Sequence, residues 1–232
     1  MQESNNLSNA IVFGSSGGIG NSIYNQLKNS NNYNVFGFSR KSSPKLDFAN
    51  EKYLKSLSTK FINKNIQIKL LINTIGFLHD GRHTPEKKSQ DISLEYMKKS
   101  FEINTIPTAL LIKYFAPLMA KDCVSIFATI SARVGSISDN YLGGWYSYRA
   151  SKAALNQIIK SASIEYKRKN NNLIIISIHP GTVLTNLSEP FLKNKTFQTP
   201  ETAAKKIISV IDQLTIKESG LLIDYNKKII PF

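Results

Sequence analysis

A phenol and an ammonium four residues apart are the side chains in this sequence with the most chemistry to offer. They lie in Trp145-Tyr146-Ser147-Tyr148-Arg149-Ala150-Ser151-Lys152-Ala153-Ala154-Leu155-Asn156, directly after Gly143 and Gly144. Ala154, Leu155, Ile158, Ile159, Ala162 and Ile164 recur at helical spacing, so the stretch is predicted to be a helix. On it Tyr148 and Lys152 share a face, with Cβ atoms about 5–6 Å apart. A free phenol titrates near ~10 and is a poor proton donor or acceptor at neutral pH. A neighbouring ammonium favours the phenolate, and a tenfold gain in acidity needs only about 1.4 kcal/mol, so a partly desolvated Lys152 is expected to bring Tyr148 toward working pH. An ordinary surface pair satisfies the same short pattern, and the surrounding elements must decide between the two.

Those elements begin with the apolar run Ala10-Ile11-Val12-Phe13, which ends in Gly14-Ser15-Ser16-Gly17-Gly18-Ile19-Gly20 and passes into a helical pattern with Ile19, Ile23 and Leu27. Strand, glycine turn and helix in that order let backbone N–H groups and a helix N-terminus face a phosphate. The glycine spacing, 14, 18 and 20, differs from Gly-x-Gly-x-x-Gly, and a purely structural turn remains the alternative. Tyr33 to Phe38 reads as a second strand ending in Ser39-Arg40-Lys41. At that strand end of a dinucleotide fold an acidic residue would accept from a ribose 2′-hydroxyl, whereas Arg40 and Lys41 suit a 2′-phosphate, which favours NADP over NAD. Leu46-Asp47-Phe48 is predicted as a short third strand with Asp47 at the adenine edge, followed by a helix over 50–63. A fourth strand, Ile68 to Ile72, ends in Asn73-Thr74-Ile75-Gly76.

Phe77 to Asp91 is polar and reads as a loop. His79 and His83 lie in it without further clustered ligands, so no metal site is expected. Leu94 to Met119 reads as one long helix bent at Pro107 beside Asn104, because proline has no N–H for the Ile103 carbonyl; the freed carbonyl would hold an ordered water. Val124 to Ile130 is a fifth strand with Ser131 at its C-terminal end, where ligands of open α/β sheets bind. A sixth, Leu173 to Ile178, runs into His179-Pro180-Gly181-Thr182-Val183-Leu184-Thr185, where His179 is read as structural beside a Pro-Gly turn. A helix over 200–214 and a strand over 220–224 close the chain. Strands alternating with helices imply an α/β fold of the Rossmann type: a doubly wound parallel sheet of about seven strands, helices on both faces, in a single domain over 1–232.

The totals agree. At 232 residues the chain suits one domain; hydrophobic residues are 41% and charged residues 20% of it, and no apolar run reaches the ~18 residues of a membrane span. The first residues show neither a basic n-region nor an apolar h-region, so a cytoplasmic protein without secretory signal is expected. The single Cys123 excludes an intrachain disulfide and is expected to be a small buried hydrophobe. The net charge of +14 would suit a polyanion, but the lysines are scattered over predicted surfaces, as at Lys87-Lys88, Lys98-Lys99 and Lys205-Lys206, with no basic block or aromatic platform. Neither a membrane nor a nucleic acid is therefore expected as partner.

Taken in order, Gly14-x-x-x-Gly18-x-Gly20, Asn73-Thr74-Ile75-Gly76, Asn104, Ser131, Tyr148-x-x-x-Lys152 and Pro180-Gly181-x-Val183-x-Thr185 resemble the short-chain dehydrogenase/reductase family over nearly the whole chain. Ser131 to Ser136, with Leu142 to Arg149, looks most like its bacterial C-factor-like subgroup. The resemblance implies that Tyr148 is the acid/base, that Lys152 lowers its pKa and holds the nicotinamide ribose, that Ser131 orients the substrate oxygen, and that Asn104 anchors a proton-relay water. It implies that Gly14, Ser16, Gly18, Ile19 and Gly20 line the pyrophosphate, that Asn73 and Gly76 lie along the cofactor, and that Pro180, Gly181, Val183 and Thr185 clasp the nicotinamide. The implied activity is NADP(H)-preferring hydride transfer between nicotinamide and a small-molecule carbonyl or secondary alcohol, in a homodimer or homotetramer. An NADP(H)-binding signalling or sensing protein with little turnover is the alternative on the same fold. The chain departs from the family's commoner pattern at Phe13, where Thr is usual, and at Thr74-Ile75, where Asn-Ala or Ala is usual.

Overall fold

The computed structural model describes residues 7–42, 47, 48, 50–192 and 196–232. One seven-stranded sheet runs through it. The strands are β1 (Ser8–Phe13), β2 (Tyr33–Phe38), β3 (Ile68–Asn73), β4 (Ser125–Ile130), β5 (Leu173–His179), β6 (Leu222–Asp224) and β7 (Ile229–Ile230), in the order β2-β1-β3-β4-β5-β6-β7. All neighbours pair in parallel except β6 and β7, which are antiparallel. The helices are α1 (Gly18–Asn29), α2 (Glu51–Asn63), α3 (Leu94–Asn104), α4 (Ile106–Phe115), α5 (Tyr146–Lys169) and α6 (Pro200–Asp212).

Side chains alternate along a strand, and the central strands β1, β3, β4 and β5 have helices on both faces, so they bury both and read as largely apolar runs. Ile11, Phe13, Leu71, Phe127 and Ile175 face a layer built from Leu54 and Phe61 of α2, Leu111 and Phe115 of α4, and Leu155 and Ile159 of α5. Ala10, Val12, Leu70, Ile72, Ala128 and Ile176 face the opposite layer, built from Ile23 and Leu27 of α1 and Ala204, Ile207 and Ile211 of α6. Each large side chain fully buried in this way contributes about 1.5–3 kcal/mol. Phe13 is one of them. Its ring stacks on Phe38 at 5.3 Å and meets Phe115 edge-on at 5.1 Å, so the departure at that position is an aromatic core contact.

Four expectations need correction. Asp47 and Phe48 are not in a strand, and Leu46 lies outside the described residues, so the sheet reaches seven strands through the short antiparallel β7, too brief to read from sequence. The segment from Leu94 to Met119 is not one bent helix. It breaks at Thr105 (φ −110°, ψ −57°) into α3 and α4, with a short 3₁₀ turn at Ala116–Leu118, because Pro107 falls in the first turn of α4, where its missing N–H costs nothing. Cys123 is exposed, since β4 begins two residues later. Ile164, counted in the helix's apolar pattern, is half exposed.

Candidate active site

The C-terminal ends of β3 and β4 converge with the first turns of α5, and there Asn104, Ser131, Tyr148 and Lys152 are all buried. Lys152 is 3% exposed; its Nζ donates to the Ile130 carbonyl at 3.0 Å and lies 6.0 Å from the centroid of the Tyr148 ring. Ser131 is anchored through its backbone N–H to the Ile178 carbonyl, and its Oγ donates to Asn156 Oδ1 at 2.8 Å. The Asn104 side chain is fully engaged: Oδ1 accepts from Phe77 N at 2.7 Å, and Nδ2 donates to the Phe77 carbonyl and to Ser151 Oγ, each at 3.0 Å. Any water at this helix break would therefore be held by backbone, since Pro107 offers no N–H to the Ile103 carbonyl. Gly76 borders the same space. A Cβ there would sit 3.8 Å from Asn104 Oδ1 and 3.9 Å from Lys152 Nζ.

Burial dominates the electrostatics. It pushes the Tyr148 phenol above its ordinary range and the Lys152 ammonium down from 10.5 to about 8. Both changes disfavour the charged forms, as desolvation must. Burial thus acts on Tyr148 in the direction opposite to the effect expected of Lys152, and in the chain without nucleotide it favours the protonated phenol. His179 is pushed down to about 4 by the same cause and is neutral at working pH; its Nδ1 finds no partner among the described residues.

The glycine turn is built for close approach. Gly14 sits at φ +86°, and a Cβ on Gly20 would lie 2.3 Å from the Gly14 carbonyl oxygen and 2.4 Å from Thr74 Oγ1. Thr74 donates through both N and Oγ1 to the Phe13 carbonyl, each at 2.9 Å, so the residue that departs from the family pattern ties β3 to the turn. α1 starts after Gly17 with no side-chain cap, and Ser16, Gly17 and Gly18 are exposed, which leaves its first N–H groups open to an anion. Thr185 reaches this turn: its Cγ2 is 2.8 Å from where a Gly18 Cβ would be. Arg40 and Lys41 are exposed at the end of β2, and Asp47 is exposed nearby in sequence. Asn73 faces inward; its Nδ2 donates to Thr108 Oγ1 and Thr129 Oγ1, and its Oδ1 accepts from Ile75 N, holding the strand end beside Gly76. Pro180 is buried, Val183 bridges Gln198, and Gly181 at φ +80° has no room for a Cβ against Gln198 and Tyr225. Ile19 is partly buried behind the turn and packs on the α1/α6 core.

An aromatic wall stands over Tyr148. Trp145 meets its ring edge-on at 6.0 Å and meets Phe191 at 5.3 Å; His79 meets Phe191 at 5.4 Å and bonds the Asn186 carbonyl through Nε2. His83 instead pairs with Asp80, so the two loop histidines serve different contacts. Asn156 is a site residue that the sequence motifs did not single out. Its signal was present, since it lies one turn beyond Lys152 on the same face.

Comparison with known proteins identifies the family and its fold. A family model described as Enoyl-(Acyl carrier protein) reductase matches residues 31–218. The 1-hydroxy-2-glutathionyl-2-methyl-3-butene dehydrogenase of Rhodococcus sp. (strain AD45) is 29% identical over 177 residues, 76% of this chain and 74% of that one. C-signal of Myxococcus xanthus is 29% identical over 142 residues, 61% of this chain and 82% of that one. Among solved structures, the NADPH-bound carbonyl reductase from chicken fatty liver superposes with a TM-score of 0.84 at 24% identity, covering 97% of this chain and 99% of that one. With the model match spanning most of its length, the chain belongs to the short-chain dehydrogenase/reductase family of oxidoreductases.

Proposed function

We propose that this chain is an NADP(H)-preferring carbonyl reductase in which Tyr148 is the acid that protonates the substrate oxygen. The observation that carries this reading is the buried phenol of Tyr148, its ring 6.0 Å from Lys152 Nζ, with Ser131 buried at the end of β4 and an uncapped glycine turn at the end of β1 in the same sheet. Bound there, the nicotinamide would supply the hydride. Gly14, Ser16, Gly18, Ile19 and Gly20 would hold the pyrophosphate, Asn73 and Gly76 would border the cofactor, and Pro180, Gly181, Val183 and Thr185 would close over the nicotinamide. Ser131 Oγ would turn its proton from Asn156 to the carbonyl oxygen and orient it. Tyr148, 8% exposed, would then deliver its proton to that oxygen out of contact with bulk water. A phenol held protonated suits reduction as the direction of use. The Trp145–Phe191 wall supports a substrate with an apolar body. The exposed Leu94 of α3 and Ile164 of α5 support assembly of copies through those helices. That no helix of the described residues is long and apolar enough to cross a membrane is compatible with a cytoplasmic enzyme.

The preference for NADP rests on Arg40 and Lys41. Arg40→Ala is expected to weaken NADPH binding roughly 10-fold or more, the scale of one charge-assisted pair with a phosphate, and to leave NADH binding unchanged. Fluorescence titration with both nucleotides measures it; equal losses for the two would end the assignment of Arg40.

Lys152 gives a pH dependence of defined sign. The charge that would hold the ribose and assist Tyr148 is lost as pH rises through about 8, so kcat/KM for carbonyl reduction is expected to fall above that pH. Stability moves the other way. The unfolded chain keeps this proton up to 10.5 and the folded chain only to about 8, so the cost of the buried ammonium is present below about 8 and is shed between 8 and 10.5. A kcat/KM profile flat from pH 7 to about 10 would rule out a working charge on Lys152.

A further inference from the structure

The helix that carries Tyr148 begins without a cap of its own. Gly143, Gly144 and Trp145 occupy three consecutive left-handed conformations, at φ +63°, +62° and +51°, and Trp145 offers no side-chain acceptor to the first turn of α5. A non-glycine residue in that region is held there by its surroundings. Much of the hold comes from one residue in the polar loop after β3. Glu86 is 2% exposed. Its carbonyl accepts from Trp145 N at 2.5 Å, both carboxylate oxygens accept from Ser147 N at 3.2 Å, and Oε1 also accepts from Ser147 Oγ. A Cβ on Gly144 would lie a tight 3.2 Å from the same Glu86 carbonyl, at a φ of +62° that favours glycine, so the turn is pressed against this loop. From the far side Arg149 Nε donates to the Gly143 and Gly144 carbonyls at 3.2 and 3.1 Å.

A buried carboxylate is expensive unless compensated. Glu86 has no ion pair among the described residues, and its compensation is the N-terminal dipole of α5 with the N–H and hydroxyl of Ser147. It therefore replaces the missing cap from 61 residues away, as its bond to Ser147 shows. It does so at the two residues that flank the reacting group: Trp145, whose ring walls the site, and Ser147, the immediate neighbour of Tyr148.

We propose that Glu86 is a positioning residue for the catalytic helix, fixing the left-handed Trp145 and the Ser147 end of α5 so that the Tyr148 hydroxyl and the Trp145 ring meet the substrate together. The inference rests on the reading of Tyr148 as the proton donor. Misplacement of a reacting group by about 1 Å costs on the order of 10²-fold, whereas the nucleotide cradle at Gly14 to Gly20 lies on other elements and does not depend on this contact.

The test uses the full chain with NADPH and a carbonyl substrate that the wild type reduces. Glu86→Leu, which keeps bulk, removes both carboxylate acceptors of Ser147 and leaves the backbone bond to Trp145 N, is expected to lower kcat about 10- to 100-fold while the NADPH Kd stays within about 2-fold. Glu86→Gln, which retains an acceptor for Ser147 N and offers an amide to Ser147 Oγ, is expected to recover kcat to within about 5-fold of wild type. Should Glu86→Leu fail to fold, Ser147→Ala removes one of the same bonds, with an expected kcat loss of about 3- to 10-fold at constant NADPH Kd. Unchanged kcat in Glu86→Leu, a parallel loss of kcat and NADPH affinity, or a Gln variant no better than Leu would overturn the proposal; so would unchanged kcat in Ser147→Ala where it stands in. Tyr148→Phe is measured alongside. Full turnover in that variant would mean that the proton-donor reading has failed, a result separable from failure at Glu86.

Discussion

Tyr148→Phe is expected to lower turnover at least ~10²-fold and to leave NADPH binding nearly unchanged. The substitution deletes one oxygen and keeps the ring, so the edge-on contact with Trp145 at 6.0 Å survives and the fold has no reason to change. What disappears is the proton donor, whose contribution as a general acid is usually about 10²–10⁴-fold. Steady-state kinetics with a nucleotide titration separate the two effects: kcat should fall while Kd holds. A variant with wild-type kcat would show that the proton comes from elsewhere.

Gly20→Ala should do the reverse, damaging the nucleotide cradle and stability together. Alanine normally improves a helix by up to about 1 kcal/mol over glycine. Here its Cβ would come within 2.3 Å of the Gly14 carbonyl oxygen and 2.4 Å of Thr74 Oγ1; the first atom belongs to the turn that presents N–H groups to a phosphate, and the second ties β3 to that turn. Gly14 cannot step aside without leaving its bond to the Phe38 carbonyl and its left-handed conformation. Overpacking of this kind costs about 1–3 kcal/mol, or a Tm lower by roughly 2–10 °C in a chain of this size. NADPH affinity is expected to fall at least ~10-fold, the scale of one lost charge-assisted contact to the pyrophosphate. Calorimetry and fluorescence titration check the two parts; a stable variant with intact binding would mean that the close approach at Gly20 has no bearing on the nucleotide.

Much of this was legible in the sequence because the central strands are buried on both faces and the helices on one. Ile68 to Ile72 and Leu173 to Ile178 could hardly be anything but central strands, and the Tyr148/Lys152 spacing survives intact on α5. The strand expected at Leu46 to Phe48 failed for a different reason. Leu46-Asp47-Phe48 has apolar flanks like a strand, but so short a stretch carries too little pattern, and Asp47 is exposed and outside the sheet. The break at Thr105 was half legible: Pro107 signalled a disturbance, yet whether proline bends a helix or opens a new one depends on Thr105 donating to the Ser151 carbonyl from another element. The same limit explains Asn156 and Glu86. Asn156 stands one turn beyond Lys152 and Glu86 in no local motif, and the importance of both comes from contacts 25 and 61 residues away. Protonation was the hardest to foresee, since spacing tells that Lys152 is near Tyr148 but not that both are removed from water, and burial acts on each group to disfavour its charged form.

The measurement that tests the central claim most directly is a titration of the purified chain with NADPH and NADH, followed by addition of a panel of aldehydes, ketones and quinones while nicotinamide absorbance is recorded. NADPH is expected to bind more tightly than NADH and to be oxidised by at least one apolar carbonyl compound, with that oxidation abolished in Tyr148→Phe. Binding of neither nucleotide, or oxidation that persists undiminished without the Tyr148 hydroxyl, would contradict it.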